Sequence, residues 1–139
     1  MSTPHPADTS SGPGRVLVAF YGLFALAATA RAGVQLATKF SEAPVAYLLS
    51  AVAGLIYVVA TVALARGGPS WRRVAMVAIG AELVGVLVVG TLSIVEPEVF
   101  PRATVWSVYG IGYGFVPLVL PVLGLLWLRR TGQVSRQAR

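Results

Sequence analysis

The sequence predicts an all-α protein, a transmembrane up-down four-helix bundle with both termini in the cytoplasm. Three observations predict it. Apolar residues make up 56% of the 139 residues and charged residues only 12%, against about 45–50% and about 25% in ordinary soluble chains. The apolar residues gather in four long runs, and the arginines gather at alternate ends of those runs. A soluble monomer of this composition would expose more apolar surface than such proteins tolerate.

The four apolar runs cover residues 16–37, 45–65, 74–95 and 105–128. Each has roughly 21–24 residues, and a helix needs about 20 to cross a hydrocarbon core of about 30 Å. Transmembrane strands need only about 9–11 residues and alternate in polarity, which these runs do not. The sequence therefore predicts four transmembrane helices within one domain at 15–130.

The segments between and around the runs have the composition of helix ends and tails. Residues 1–14 are polar and rich in Pro and Gly, which predicts a disordered cytoplasmic tail, and 131–139 form a basic cytoplasmic tail. Pro44 suits the start of the second helix, and Ser70 is a candidate N-cap for the third. The connections are short, so consecutive helices are expected to be antiparallel neighbours.

The distribution of basic residues predicts the orientation in the cell (inner or plasma) membrane. One side of the predicted bundle has only Lys39 and Arg102, beside the acidic Glu42, Glu96 and Glu98. The other side collects Arg15, Arg66, Arg72, Arg73, Arg129, Arg130, Arg136 and Arg139. Because basic residues are retained on the inner side, both termini are predicted to be cytoplasmic. Trp71 and Trp127 then fall at the inner interface, and Tyr47 and Trp106 at the outer one.

The first run also has features of a signal peptide. Arg15 precedes an apolar stretch, and the small residues Ala27-Ala28-Thr29-Ala30 offer a possible cleavage site of the A-x-A kind. Cleavage there would leave three spans in the same orientation. The weakly basic leader favours the uncleaved alternative.

Composition excludes several functional classes. The net charge of +6 comes from residues at the ends of apolar runs, so it does not indicate nucleic-acid binding. The chain has no Cys, and its one His is His5 in the polar leader. A thiolate metal site, a zinc site and a Ser/His/Asp triad are therefore not expected. We expect no enzymatic activity and no cofactor.

Two charged residues lie within the predicted spans, Glu82 in the third and Arg31 in the first. Inserting either residue into a membrane near a helix centre costs a free energy on the order of 2.5–3.5 kcal/mol, if Glu behaves like Asp. Intramembrane ionisable residues are candidate functional residues for that reason. Glu82 shares a helix face with small residues, which predicts that it faces protein.

Three further polar residues complete the candidate intramembrane site. Gln35 lies one turn after Arg31, Tyr57 lies near the depth of Glu82, and Tyr113 lies near the depth of Arg31. Three interpretations stay open: a polar cavity that handles a proton or solute, a structural hydrogen-bonded network, or an Arg31 that snorkels to the interface and leaves Glu82 alone.

The Gly112-Tyr113-Gly114 triplet is similar to part of a potassium-channel filter. A filter is followed by a complete inner helix, and residues 115–128 are too few for one. We instead expect the glycines, with Pro117 and Pro121, to bend the fourth helix.

The stretch 104–130, TVWSVYGIGYGFVPLVLPVLGLLWLRR, resembles the last helix of small uncharacterised integral membrane proteins of actinobacteria. That resemblance implies a membrane location and no activity. Small multidrug-resistance transporters also have four short helices, but their essential carboxylate is in the first helix, where this chain has Arg31.

The sequence therefore predicts a non-enzymatic accessory or assembly subunit that acts through helix–helix contacts. Its expected partners are the lipid bilayer and either another membrane protein or further copies of itself. The alternative is an oligomeric proton-coupled small-solute transporter that uses Glu82 and Arg31.

Overall fold

The structure is a computed structural model that describes residues 12–137, with side chains described for residues 12–132. The predictions for residues 1–11 and for the side chains beyond residue 132 lie outside this part. The described chain is helical and contains no strand. Its four α-helices are α1 (Pro13–Thr38), α2 (Pro44–Arg66), α3 (Pro69–Val95) and α4 (Val116–Gln137). Three 3-10 helices lie between them, at Phe40–Glu42, Pro97–Val99 and Ser107–Tyr113.

The helices pack in chain order, α1 on α2, α2 on α3 and α3 on α4. Small residues allow the closest approach, between α1 and α2. A Cβ added to Gly54 would lie 3.1 Å from the Thr29 hydroxyl oxygen, and one added to Gly22 would lie 3.6 Å from Thr61. In contrast, α1 and α4 make few contacts with each other. The seam between the first and last helices is therefore partly open.

Prolines and glycines set the helix ends, as the turn chemistry predicts. Each of α1, α2 and α3 has Pro in its first turn. Gly67 ends α2 at φ 67°, a conformation that favours glycine. The prediction of Ser70 as the N-cap of the third helix is wrong, because α3 begins at Pro69 and Gly68 precedes it.

The fourth predicted span is not one continuous helix. The 3-10 segment Ser107–Tyr113 and the following helix meet at 100°. Val108, Tyr109 and Phe115 all have positive φ, which is rare for residues with a side chain, and Gly114 is left-handed at the junction. Gly110 also has a positive φ, and the Pro117 ring occupies the space that a side chain there would need.

The other boundary of the fourth span also differs from the prediction. Helix α4 continues past residue 128 to Gln137, so most of the predicted basic tail at 131–139 is helical. Thr131, inside the predicted tail, is 5% exposed. Its hydroxyl accepts a hydrogen bond of 2.7 Å from Arg72 at the start of α3. That contact attaches the extension of α4 to the start of α3.

The outer surface of the packed helices is apolar. Leu26 and Val77 are 72% and 73% exposed, and large exposed apolar side chains occur along every α-helix. Three helices are long and apolar enough to cross a membrane, and a fourth span results if the bent pair is counted as one. Because soluble monomers rarely expose so much apolar surface, these features indicate a membrane location.

Candidate functional site

The carboxyl group of Glu82 is enclosed between the helices. Glu82 is in the middle of α3, thirteen residues after Pro69 and thirteen before Val95, and its exposure is 0%. The Tyr21 hydroxyl of α1 donates a hydrogen bond of 2.7 Å to Glu82 Oε1. Glu82 Oε2 is buried and accepts no hydrogen bond of good geometry from the described residues, although the Tyr57 hydroxyl lies near the carboxyl group. A buried polar atom without a partner is costly and needs an explanation.

Tyr57 of α2 lies beside the same carboxyl. It is fully buried, and its hydroxyl is close enough to Glu82 to interact with it electrostatically. The Trp106 indole Nε1 donates a hydrogen bond of 3.0 Å to the Tyr57 oxygen. The six-membered ring of Trp106 in turn lies against α3 at Gly85, where a Cβ would be 2.5 Å from its Cζ3 atom. Glycine at this position therefore makes room for the indole.

The segment that carries Trp106 is attached to α3 at several further points. Ser93 Oγ accepts a hydrogen bond of 2.8 Å from the Val108 amide, which supports the left-handed backbone there. The hydroxyls of Thr91 and Tyr109 are 2.9 Å apart. The Tyr109 ring occupies the space next to Gly90, where a Cβ would overlap it. These contacts explain how the broken stretch keeps a defined position.

Arg31 and Glu82 do not form an ion pair. Arg31 is exposed, and its Nη1 donates a hydrogen bond of 2.6 Å to the Tyr113 hydroxyl. Among the described residues, an ion pair instead joins the exposed side chains of Arg102 and Glu42, with Nη2 and Oε1 3.9 Å apart. Arg31 therefore bonds to Tyr113 and not to the buried carboxyl of Glu82.

Aromatic rings fill the space between the two charged residues. The Phe24 ring centroid is 5.6 Å from that of Tyr57 and 5.7 Å from that of Tyr113. Tyr21 and Tyr57 are 6.2 Å apart by the same measure. Phe24 carries no polar atom, and among the described residues no hydrogen bond of good geometry joins the Arg31–Tyr113 pair to the Glu82 group. Tyr57 and Tyr113 are nevertheless near enough to interact electrostatically.

The five predicted site residues therefore form two groups and one separate residue. The structure brings Glu82 and Tyr57 together, and it brings Arg31 and Tyr113 together. Gln35 is half-buried one turn beyond Arg31, and its side-chain oxygen has no hydrogen-bond partner in the described part of the chain.

Sequence reasoning missed two residues that complete the Glu82 group, Tyr21 and Trp106. Trp106 was expected at the outer interface, but it is only 3% exposed and faces the interior. Tyr47, also expected at that interface, is 2% exposed. The signal for Tyr21 was available, because it shares a helical face of α1 with Leu17 and Phe24 at spacings of four and three residues.

Two grooves lie on the outside of the bundle, and Glu82 lines neither of them. One of about 650 Å³ lies between α1 and α4. The other, of about 470 Å³, lies between α2 and α3 and has only apolar surface exposed in it. A solute in either groove would therefore not contact the buried carboxyl in this conformation.

No protein-family model matches the chain, and neither a curated protein nor a solved structure does. The resemblance of residues 104–130 to small actinobacterial membrane proteins stays a prediction. Within the described part of the chain, no three or more His, Asp or Glu residues are grouped so that they could hold a metal ion.

Proposed function

We propose that the chain is a four-span protein of the cell membrane, with both termini cytoplasmic, and that it is a non-enzymatic accessory or assembly subunit. One observation carries this proposal. The buried polar groups bond to one another across helices, and those around Glu82 are 0–3% exposed. A substrate has no access to them in this conformation, so the surface that remains for function is the outer, apolar one.

Contacts with a partner are expected along α1. Three glycines of α3 and α4 are occupied internally, since Gly85 and Gly90 face aromatic rings and Gly124 lies against Ile79 and Tyr21. On α1, by contrast, Gly33 is exposed and a Cβ there would meet nothing within 4 Å. The exposed Ala30 and Ala37 flank it, and small residues allow a partner helix to approach closely.

Affinity purification from native membranes in a mild detergent tests this function. We expect a second membrane protein, or further copies of the chain, to be recovered at constant ratio. Gly33→Leu should lose that partner. Gly80→Leu is the matched control, since Gly80 is likewise open to a Cβ but lies on α3. Recovery of a monomer alone at every expression level would contradict the proposal.

The orientation is tested with single cysteines, because the chain has none of its own. Ser41 and Ser70 are both exposed, at opposite ends of α2. In intact cells we expect a membrane-impermeant maleimide to label Ser41→Cys and not Ser70→Cys. The reverse pattern would place the termini outside.

A proton-coupled transporter is the second candidate, and the unpartnered Glu82 Oε2 favours it. A carboxyl in the middle of a span with one unused oxygen is suited to take up and release a proton if the bundle opens. This candidate predicts that Glu82→Gln abolishes uptake or resistance while the protein stays folded. Glu96→Gln, in an exposed loop, should have no effect. Equal transport by both variants would remove this candidate.

A further inference from the structure

The groove between α1 and α4 combines an apolar interior with a cationic mouth. Its walls are Val16 and Leu17 of α1 and Leu123 and Trp127 of α4, and Arg130 lies at its end. Its polar end is the end of the bundle where α1 begins. Towards the centre the groove is closed, because Tyr21 fills the space beside Gly124.

The start of α1 adds a second feature that favours an anion. Pro13 borders the groove, so the first turn of α1 lies beside Arg130. That turn has no side-chain cap and no acidic residue. Pro13 has no N–H and the Arg15 N–H is bonded to the Gly12 carbonyl at 3.0 Å, so the helix dipole is the main feature of this turn that favours negative charge.

The described residues at this end of the helices are rich in arginine and include no Asp or Glu. Helix packing places six arginines there: Arg15, Arg66, Arg72, Arg73, Arg129 and Arg130. Of the four described acidic residues, Glu82 is at the centre and Glu42, Glu96 and Glu98 are at the opposite end. The groove therefore combines a long apolar slot with basic residues that favour an anion.

We propose that this groove binds an anionic phospholipid of the cytoplasmic leaflet. One acyl chain lies along Val16, Leu17 and Leu123, and the phosphate lies between Arg130 and the first turn of α1. Trp127 is placed at the level where acyl chain and headgroup meet, which suits an indole. The leaflet named here rests on the proposed orientation with cytoplasmic termini. The binding itself requires neither a partner protein nor transport.

The test uses the purified full-length chain in micelles that contain equal amounts of dioleoyl phosphatidylglycerol and dioleoyl phosphatidylcholine. Native mass spectrometry counts the lipids retained per chain. We expect one phosphatidylglycerol to be retained in preference to phosphatidylcholine. Arg130→Gln should reduce its retention about fivefold, since one basic residue near the surface contributes about 1 kcal/mol to attraction for anionic lipid.

Two matched controls separate a specific site from general attraction. Arg129→Gln removes the same charge one residue away, outside the groove, and should reduce retention much less. Val16→Trp fills the groove and should abolish retention, whereas Leu23→Trp, on the outer face of α1, should not. Equal loss from both arginine variants, or normal retention by Val16→Trp, would overturn the proposal.

Other occupants of the groove give different results. If the leader itself fills the groove, deletion of residues 2–11 would raise retention severalfold over that of the full chain. If a second copy fills it, Val16→Trp would convert a lipid-free dimer to a monomer. Either result would overturn lipid binding, and because the measurement is made in micelles, neither depends on the outcome of the partner or transport experiments.

Discussion

Replacing Gly85 with Ala tests the central contact of the site. The added Cβ would lie 2.5 Å from Cζ3 and 2.7 Å from Cη2 of Trp106. The indole cannot move freely, since it is 3% exposed and bonded to Tyr57. Overpacking costs about 1–3 kcal/mol and a lost hydrogen bond adds about 1 kcal/mol, whereas the helix preference for Ala returns about 0.5–1 kcal/mol. We expect Gly85→Ala to lower the free energy of unfolding by about 1–3 kcal/mol.

The assay is unfolding of the purified chain by SDS in mixed micelles, followed by circular dichroism. Gly80→Ala is the control, because a Cβ there meets nothing within 4 Å, and its stability should be unchanged or higher. In a Trp106→Phe background, where the smaller ring leaves space, Gly85→Ala should cost about 1 kcal/mol less than in the native chain. Equal stability of the two alanine variants would refute the placement of Trp106 on α3.

Three further predictions use the same unfolding assay. Tyr21→Phe should lower the free energy of unfolding by about 1–2 kcal/mol, because it leaves Glu82 with no hydrogen bond of good geometry. This loss is near the upper end for interhelical hydrogen bonds in membranes. An unchanged free energy of unfolding would contradict the 2.7 Å contact. Arg102→Gln should leave stability unchanged, since its exposed ion pair with Glu42 is long. Gly67→Ala should lower the free energy of unfolding by about 1–3 kcal/mol, because the φ of 67° and ψ of −177° at Gly67 are adopted almost only by glycine. An unchanged free energy of unfolding would show that the connection between α2 and α3 can change its conformation.

The first three helices follow from composition and local chemistry. Their apolar runs are long and unbroken, and proline and glycine mark the ends, as at Pro44 and Gly67. The structure extends α1 and α3 beyond the apolar runs to Pro13 and Pro69, where polar residues continue the helix. Hydropathy does not record such extensions, because it marks only the apolar part of a helix.

The fourth span was predicted less well because tertiary contacts determine it. Its hydropathy is that of a helix, but the segment at Ser107–Tyr113 is fixed by groups on other helices. The Ser93 hydroxyl bonds to the backbone, and Gly85 and Gly90 accommodate the two aromatic rings. None of these partners is close in sequence, so periodicity within residues 105–128 could not reveal the break. The glycines and prolines indicated a bend but not its size.

Helical rotation, rather than depth, separates Arg31 from Glu82. At 1.5 Å per residue, Glu82 lies about 20 Å along α3, and Tyr21 and Arg31 lie about 12 Å and about 27 Å along α1. Depth alone therefore favours neither residue of α1 as the partner of Glu82. Arg31 follows Tyr21 by ten residues, which leaves it about 80° short of three full turns. Tyr21 consequently faces the interior, fully buried, and Arg31 faces outward.

Because Arg31 and Glu82 share no hydrogen bond and each bonds to a different tyrosine, they should act independently. We expect the effects of Arg31→Gln and Glu82→Gln on the free energy of unfolding to add within about 0.5 kcal/mol, as for separated sites. Arg31→Gln combined with Tyr113→Phe is the contrasting pair, since these residues share a 2.6 Å hydrogen bond, and their effects should not add. A coupling above about 1 kcal/mol between Arg31 and Glu82 would mean that the two charges interact in the membrane. That result would restore a single polar site in place of the two separate groups.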